Sequence, residues 1–281
     1  MQSFIWGSTI PLCIRHDTSA IPYLVNVPRN SYLPLLLPRL NSFFRHNFGG
    51  RGVKEDANVN NKFVNATSFS YDGILLKNLP VGLLYDLYQP LLPWQLSLGN
   101  GPLYEMHDTF INSVKEADFV RNGTAKGIMS MSKENSTQLW NSVQDNDFRA
   151  FHKIHQVLLN PPTPLKHIPL RLYVPSVPNA TTGFSSFNVI QMLVPPITAS
   201  QEIQSVGSAL SLTLPTLFPS RGEEILAQPI LHGAPVPFHA PLIDLMKEAA
   251  YADGWLHVCI RMLDRQIIVL PKSTVQGSII D

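Results

Sequence analysis

Phe110-Ile-Asn-Ser-Val-Lys-Glu-Ala-Asp-Phe119 lies inside the one long stretch, residues 103–159, that reads as continuous helix, and strand-like sequence flanks it on both sides. Phe110, Val114 and Ala117 recur at i, i+4 and i+7, an apolar stripe at helical period. Asp108 stands where an N-cap is expected. Lys115 is off the stripe. It falls on the row Ile111, Lys115, Phe119 at the stripe's edge, so its aliphatic stem can lie along apolar surface while the amine stays in water. Two further runs share the period. Residues 136–143 put Leu139, Trp140 and Val143 on one face, and residues 148–159 put Phe148, Phe151, Ile154, His155 and Leu158 on another.

Upstream, residues 4–16 read as a first strand containing Ile10-Pro-Leu-Cys-Ile14, and residues 23–27 as a second that stops at Pro28. A helix is expected over 35–48, then a polar, glycine-rich exposed loop over 47–61. Strand character resumes over 62–71. Asp72-Gly73 marks a hairpin turn, Pro80-Val-Gly-Leu-Leu-Tyr-Asp-Leu87 opens a short helix with proline near its first position, and Pro93-Trp-Gln-Leu-Ser-Leu98 is a closing strand. Downstream, Asn160-Pro-Pro-Thr-Pro164 breaks the helix and the same order returns. Ile168-Pro-Leu-Arg-Leu172 echoes Ile10-Pro-Leu-Cys-Ile14, residues 189–194 end at Pro195 as the earlier strand ends at Pro28, Leu231-His-Gly233 echoes the turn at Gly73, Leu242-Ile-Asp-Leu245 echoes Leu84-Tyr-Asp-Leu87, and Trp255 starts a strand as Trp94 does. Ile10 to Asp86 and Ile168 to Asp244 span equal lengths of chain. Two strands, a helix, two strands, a short helix and a strand are the order of a β-grasp, or ubiquitin-like, module. The expected class is α+β: a first ubiquitin-like domain over 1–102, a helix-rich domain over 103–160, a second ubiquitin-like domain over 161–263 and a tail over 264–281. Two unrelated α+β domains are the alternative.

Composition narrows the function. Charged residues make up 15% of the chain and the net charge is +1, against a usual charged share of about 25%. No basic run favours nucleic acid, and residues 33–38, the longest apolar run, are far too short for a bilayer. The first residues lack the pattern of a secretory signal. Cys13 and Cys259 stand far apart and outside any C-x-x-C pair, so neither a disulfide framework nor a zinc site is expected, and a cytosolic chain with reduced thiols is. His152 and His155 lie i, i+3 on a helix without a suitably spaced third ligand, which favours a core or surface role over metal binding. Gly49-Gly-Arg-Gly52 lacks the G-K-[ST] ending of a phosphate loop, and neither G-x-S-x-G nor H-E-x-x-H occurs. No catalytic residue, metal or cofactor is expected.

The motifs Val114-Lys-Glu-Ala-Asp118, Gln138-Leu-Trp140, Asn146-Asp-Phe148, His167-Ile-Pro-Leu-Arg-Leu172, Leu79-Pro-Val-Gly-Leu-Leu-Tyr-Asp-Leu87 and Leu92-Pro-Trp94 fall in one order along the chain. Together they resemble the autophagy protein 5 family. The resemblance implies two ubiquitin-like domains flanking a helix-rich domain. It also implies an isopeptide bond from the C-terminal glycine of the ubiquitin-like autophagy protein 12 to a lysine, and binding of the amino-terminal helix of autophagy protein 16. It further implies an E3-like role in moving autophagy protein 8 from its E2 onto phosphatidylethanolamine. The location implied is cytoplasmic and peripheral at the preautophagosomal structure membrane. The family's acceptor lysine precedes Glu-Ala-Asp, and the matching position here is Lys115. An ordinary lysine is the neutral nucleophile in only about one molecule in a thousand at pH 7.4, so the donor's carrier enzyme must help remove its proton. Glu116 and Asp118 are placed to orient the amine or to pair with cations, and Arg121, Lys126 and Lys133 are expected to form a basic region nearby. Trp6, Pro80, Val81, Leu83 and Leu84 are expected to form one wall of an exposed groove for the partner helix, with ordinary core packing as the competing reading. A tandem β-grasp adaptor that binds partners without conjugation is the second functional reading.

Overall fold

Burial along the strand Trp94–Gly99 alternates, with Trp94, Leu96 and Leu98 inside and Gln95 and Ser97 outside. That is the period-two signature of a sheet with one face on a core. The structure, a computed structural model, describes residues 1–17, 19–46, 65–102, 105–159, 164–176 and 187–263. The glycine-rich loop expected over 47–61 and the tail over 264–281 lie outside them. The first unit comprises α1 (Gln2–Gly7), β1 (Thr9–Arg15), β2 (Tyr23–Pro28), a 3-10 turn at Leu33–Leu36, α2 (Leu37–His46), β3 (Ser68–Tyr71), β4 (Ile74–Leu75), α3 (Val81–Tyr88) and β5 (Trp94–Gly99). The middle holds α4 (Met106–Asn122), α5 (Lys126–Met129), α6 (Lys133–Gln144) and α7 (Phe148–Leu159). The last unit comprises β6 (Ile168–Pro175), β7 (Phe187–Val194), α8 (Val206–Thr213), β8 (Ala227–Leu231), β9 (Ala234–Pro235), α9 (Leu242–Ala249) and β10 (Leu256–Met262).

The two sheets have the same topology. Their orders are β2-β1-β5-β3-β4 and β7-β6-β10-β8-β9, each with one parallel pair at the centre, β1 with β5 and β6 with β10. This is the β-grasp arrangement, made twice. Asp72-Gly73 and His232-Gly233 all have positive φ, which a two-residue hairpin turn of this hand requires. The helix of the second unit is α8, which ends at Thr213, before Pro215. It starts from a reciprocal cap in which the Ser205 hydroxyl accepts from the Ser208 amide and Ser208 accepts from the Ser205 amide.

Three expectations need correction. Residues 4–16 are not one strand, because the chain opens as α1. Ile5 and Trp6 are buried on that helix, and the Gln2 side-chain amide donates to the Lys247 carbonyl of α9. A six-residue helix has little stability of its own, so its conformation follows from docking. The N-cap of α4 is Glu105, and Asp108 sits in the first turn, where its charge meets the positive end of the helix. Trp255 is not the counterpart of Trp94. Leu12 pairs with Trp94, whereas the equivalent Leu170 pairs with Leu256, so Trp255 lies one position earlier and faces the opposite side of its sheet.

That shift shows how the units join. Leu256, Val258 and Ile260 face the core of the second unit, yet their odd-numbered neighbours Trp255, His257 and Cys259 are buried as well. A mostly antiparallel sheet ordinarily leaves one face to water. Here α3 and α4 cover it. Leu83 of α3 joins the second unit's core while Val81 and Leu84 of the same helix join the first unit's. Ala117 and Val120 of α4 pack on Trp255.

Candidate functional site

The inner face of α4 buries Phe110, Val114 and Ala117, as the apolar stripe predicts, and Lys115 is half-buried on the side turned away from it. Of its row, Ile111 is buried and Phe119 is exposed. Glu116 pairs with Arg171 of β6. Asp118 is fully buried and points elsewhere: it accepts from Asn122 Nδ2 at 2.7 Å and from the Ile128 amide at 3.1 Å, which ties the start of α5 to α4. Of the two roles expected, orienting the amine or pairing with a cation, Glu116 takes the second, and Asp118 holds α5 instead. The basic region is corrected too. Lys126 and Lys133 are exposed, but Arg121 is 2% exposed on the inner face.

The residues flanking Lys115 are anchored to the second ubiquitin-like unit. The indole N–H of Trp255 donates to the Ser113 carbonyl at 3.0 Å, and the Ser113 hydroxyl donates to Asp253 Oδ2 at 2.8 Å. Asp253 also contacts His257 Nε2 at 3.0 Å, and His257 Nδ1 lies 3.0 Å from the Tyr173 hydroxyl. Burial opposes the Asp253 charge, but His257, Ser113 and the Trp255 amide outweigh it and hold the carboxyl pKa below its ordinary value. Burial raises the Tyr173 pKa, so the phenol stays protonated. Serine, aspartate and histidine meet here in the wrong order for nucleophilic catalysis. The hydroxyl donates to the carboxylate, and no contact to the imidazole activates it. Arg171 completes the seam by stacking its guanidinium 3.8 Å above the Trp255 ring centroid. Gly254, at φ +84°, lets the 253–255 turn approach α4; a Cβ there would stand 3.2 Å from the Ala117 Cβ.

Sequence reasoning missed Ser113, Asp253 and His257, and the legible signal was Asp253-Gly254-Trp255, a turn before a strand. A cavity of about 300 Å³ opens beside this seam, lined by Asn112, Ser113, Glu116 and Arg171 and reaching Asn78 and Leu79 of the first unit.

The five residues expected to wall an exposed groove are all core residues. Trp6 is 4% exposed, Val81 and Leu83 0% and Leu84 1%, and Pro80 is buried. Trp6 packs on Phe151 at 4.6 Å in the helical domain, and α3 is buried on every side because it lies between two sheets. His152 and His155 also belong to packing. His152 Nδ1 lies 3.1 Å from Gln2 Oε1, and His155 is buried against Phe151. Burial raises the Cys259 pKa, which keeps that thiol unreactive.

Family models match the chain in three consecutive pieces. The UblA domain of autophagy protein ATG5 matches residues 5–99, its alpha-helical bundle region 104–161, and its UblB domain 167–260. The chain belongs to the autophagy protein 5 family. Autophagy protein 5 of Sclerotinia sclerotiorum is 60% identical over 94% of this chain and 100% of its own length. That of Chaetomium globosum is 51% identical over 92% of this chain and 88% of its own length. The crystal structure of Kluyveromyces marxianus Atg5 shares the fold with a TM-score of 0.69, at 21% identity over 92% of this chain and 98% of that one. Membership of the autophagy protein 5 family gives the chain a role in autophagy, and neither the matched family models nor the named relatives are of a catalytic enzyme family.

Proposed function

We propose that this member of the autophagy protein 5 family is a non-catalytic scaffold that becomes an E3-like factor once Lys115 carries autophagy protein 12. The observation that carries the reading is the placement of Lys115 within Val114-Lys-Glu-Ala-Asp118, half-buried on a helix whose neighbouring residues Ser113 and Glu116 are held by the second ubiquitin-like unit. Such anchoring fixes the stretch of helix from which the half-buried lysine projects, and a fixed nucleophile favours attack on a thioester. The conjugate, with autophagy protein 16 bound through its amino-terminal helix, would promote transfer of autophagy protein 8 from its E2 to phosphatidylethanolamine. It would do so from the cytoplasm, as a peripheral component at the preautophagosomal structure membrane. Among the described residues no helix is long and apolar enough to cross a membrane. Helix-partner binding rests on the family, because the five residues first considered for it are buried.

Mass spectrometry of the protein from its native cells tests the central step. A branched peptide at Lys115 is expected, and Lys115→Arg removes it. A mutant that still gains the mass of a ubiquitin-like protein sinks the assignment of the lysine. A wild-type chain that never gains it leaves the tandem β-grasp adaptor reading.

A further inference from the structure

Among the described residues the two sheets end in four outer strands, and β7 differs from the other three. β4 and β9 are two residues long, too short to hold a partner strand. β2 runs into Pro28, which has no N–H to donate, and its outward face sets Leu24 beside polar Asn26. β7 spans eight residues, Phe187-Asn-Val-Ile-Gln-Met-Leu-Val194, with no charge and no proline in it. Natural sheets guard a long edge with charge, proline or a bulge, because a bare edge offers a row of N–H and C=O groups to another chain. The register of β7 on β6 is unbroken from Phe187 to Val194, so no bulge turns this edge away.

We propose that β7 pairs antiparallel with β7 of a second copy of this chain, about a two-fold axis at Gln191. The inference stands apart from the acceptor reading of Lys115.

Self-complementarity decides the occupant. A two-fold contact brings the same strand to both sides, so residues equally far from the axis meet. On the outer face Val189 meets Leu193 of the second copy, and in the single chain these side chains are 49% and 60% exposed. On the inner face Ile190 meets Met192, and both are half-buried at the rim of the second unit's core. Gln191 meets itself, an amide with both donors and an acceptor. Apolar therefore faces apolar on both sides of the pair, and no like charges oppose each other, since the strand has none. An axis at Ile190 or Met192 would instead set Val189 or Leu193 against Gln191, apolar against polar. Pro195 ends the ladder, because it falls opposite Phe187 of the second copy and has no N–H. The two sheets then run on as one, and each β7 moves from edge to interior. A strand pair with so few side chains stands at the small end of interface sizes, below about 1,200 Å², so the dimer is weak, of micromolar or poorer affinity.

The test is sedimentation equilibrium of the full, unconjugated chain from micromolar to near-millimolar concentration. The average mass should rise from that of one chain toward that of two. Val189→Lys combined with Leu193→Lys sets like charges against each other across the axis, at positions already exposed. Its dissociation constant should rise by about tenfold or more while its melting temperature stays near that of the wild type. Val189→Glu combined with Leu193→Glu should behave the same way alone. An equimolar mixture of the two double variants should recover association, because opposite charges then face each other. Lys115→Arg should associate as the wild type does, so failure of the acceptor reading leaves this result standing. A wild-type chain that stays monomeric throughout overturns the proposal and leaves the edge to a strand from another protein. Undiminished association of the lysine double variant overturns it as well, because the contact then lies elsewhere. So does a mixture that associates no better than its components.

Discussion

Arg121 lies on the inner face of α4 with 2% of its surface exposed, and none of its guanidinium nitrogens has a hydrogen-bond partner among the described residues. Burial lowers its pKa from 12.5 to about 10 despite the nearby carboxylates of Asp118 and Asp253. A folded-state pKa depressed by that much means the charged form costs the fold about 3 kcal/mol at neutral pH. Both carboxylates have other partners, in Asn122 and the Ile128 amide for Asp118 and in Ser113 and His257 for Asp253. Replacing Arg121 by methionine therefore strands neither of them. Arg121→Met should leave stability unchanged or raise it by about 1–3 kcal/mol in urea denaturation. A large loss would show that the cation is needed where it is. One helix thus carries a cation inside at position 121 and the candidate acceptor outside at 115, and i, i+3 and i+4 counting from Phe110 separates the two: Arg121 follows Ala117 by four residues, whereas Lys115 is off the stripe. The sequence holds that distinction, although charge alone groups the two residues on one basic surface.

At the level of elements, α3 is the piece with two cores. Val81 and Leu84 enter the first unit and Leu83 the second. Gly82 faces Arg29 so closely that an added Cβ would lie 2.9 Å from the Arg29 Cβ and Nε. Arg29, just after β2, in turn holds Asp86 of that helix through both carboxylate oxygens at 2.6 Å, a buried pair. Desolvation raises the Asp86 pKa, and Arg29 offsets only part of that rise. Leu83→Ala should cost about 2–5 kcal/mol in urea denaturation, because the cavity it leaves lies in the joint between the units. A cost below about 1 kcal/mol would mean that the second unit closes over the gap. The helical pattern of Pro80-Val-Gly-Leu-Leu-Tyr-Asp-Leu87 is legible, but its lack of a polar face fits exposed apolar surface as well as interior. Only the second sheet's position turns that surface into an interior. The short α1 escaped the sequence for a related reason, since Ile5 and Trp6 are helical where α7 and α9 receive them.

The whole molecule answers to acid through two imidazoles in different places, His155 buried and His232 partly buried. Burial, followed by the charge of Arg121, pushes the His155 pKa down to about 3. Burial likewise lowers His232 to about 3, against the hydrogen bond to the Ala249 carbonyl that raises it. Both are neutral in the folded protein at pH values where an unfolded chain, with a histidine pKa near 6.5, takes up protons. Stability is therefore undiminished above about pH 6.5 and is lost as pH falls from there toward 3. Between pH 7.5 and 5.5 the two together should remove about 3 kcal/mol. Asp86, whose raised pKa favours its protonated form in the fold, acts in the opposite sense at lower pH. His155→Met should roughly halve the loss over that range in pH-dependent urea denaturation, and an unchanged acid limb would show that His155 titrates normally. At the same scale, the sequence by itself determined the duplicated order of strands and helices, the turns at Asp72-Gly73 and His232-Gly233, and the helix and stripe that leave Lys115 outside. Those features follow from local periodicity and from backbone angles that particular residues adopt. Tertiary structure alone decided that Trp255 faces α4 rather than its own core, that Ser113, Asp253 and His257 meet, and that α3 is interior. A shift of one residue in strand register turns a side chain to the other face, and contacts between residues far apart in sequence exist only once the two sheets close on the helices between them.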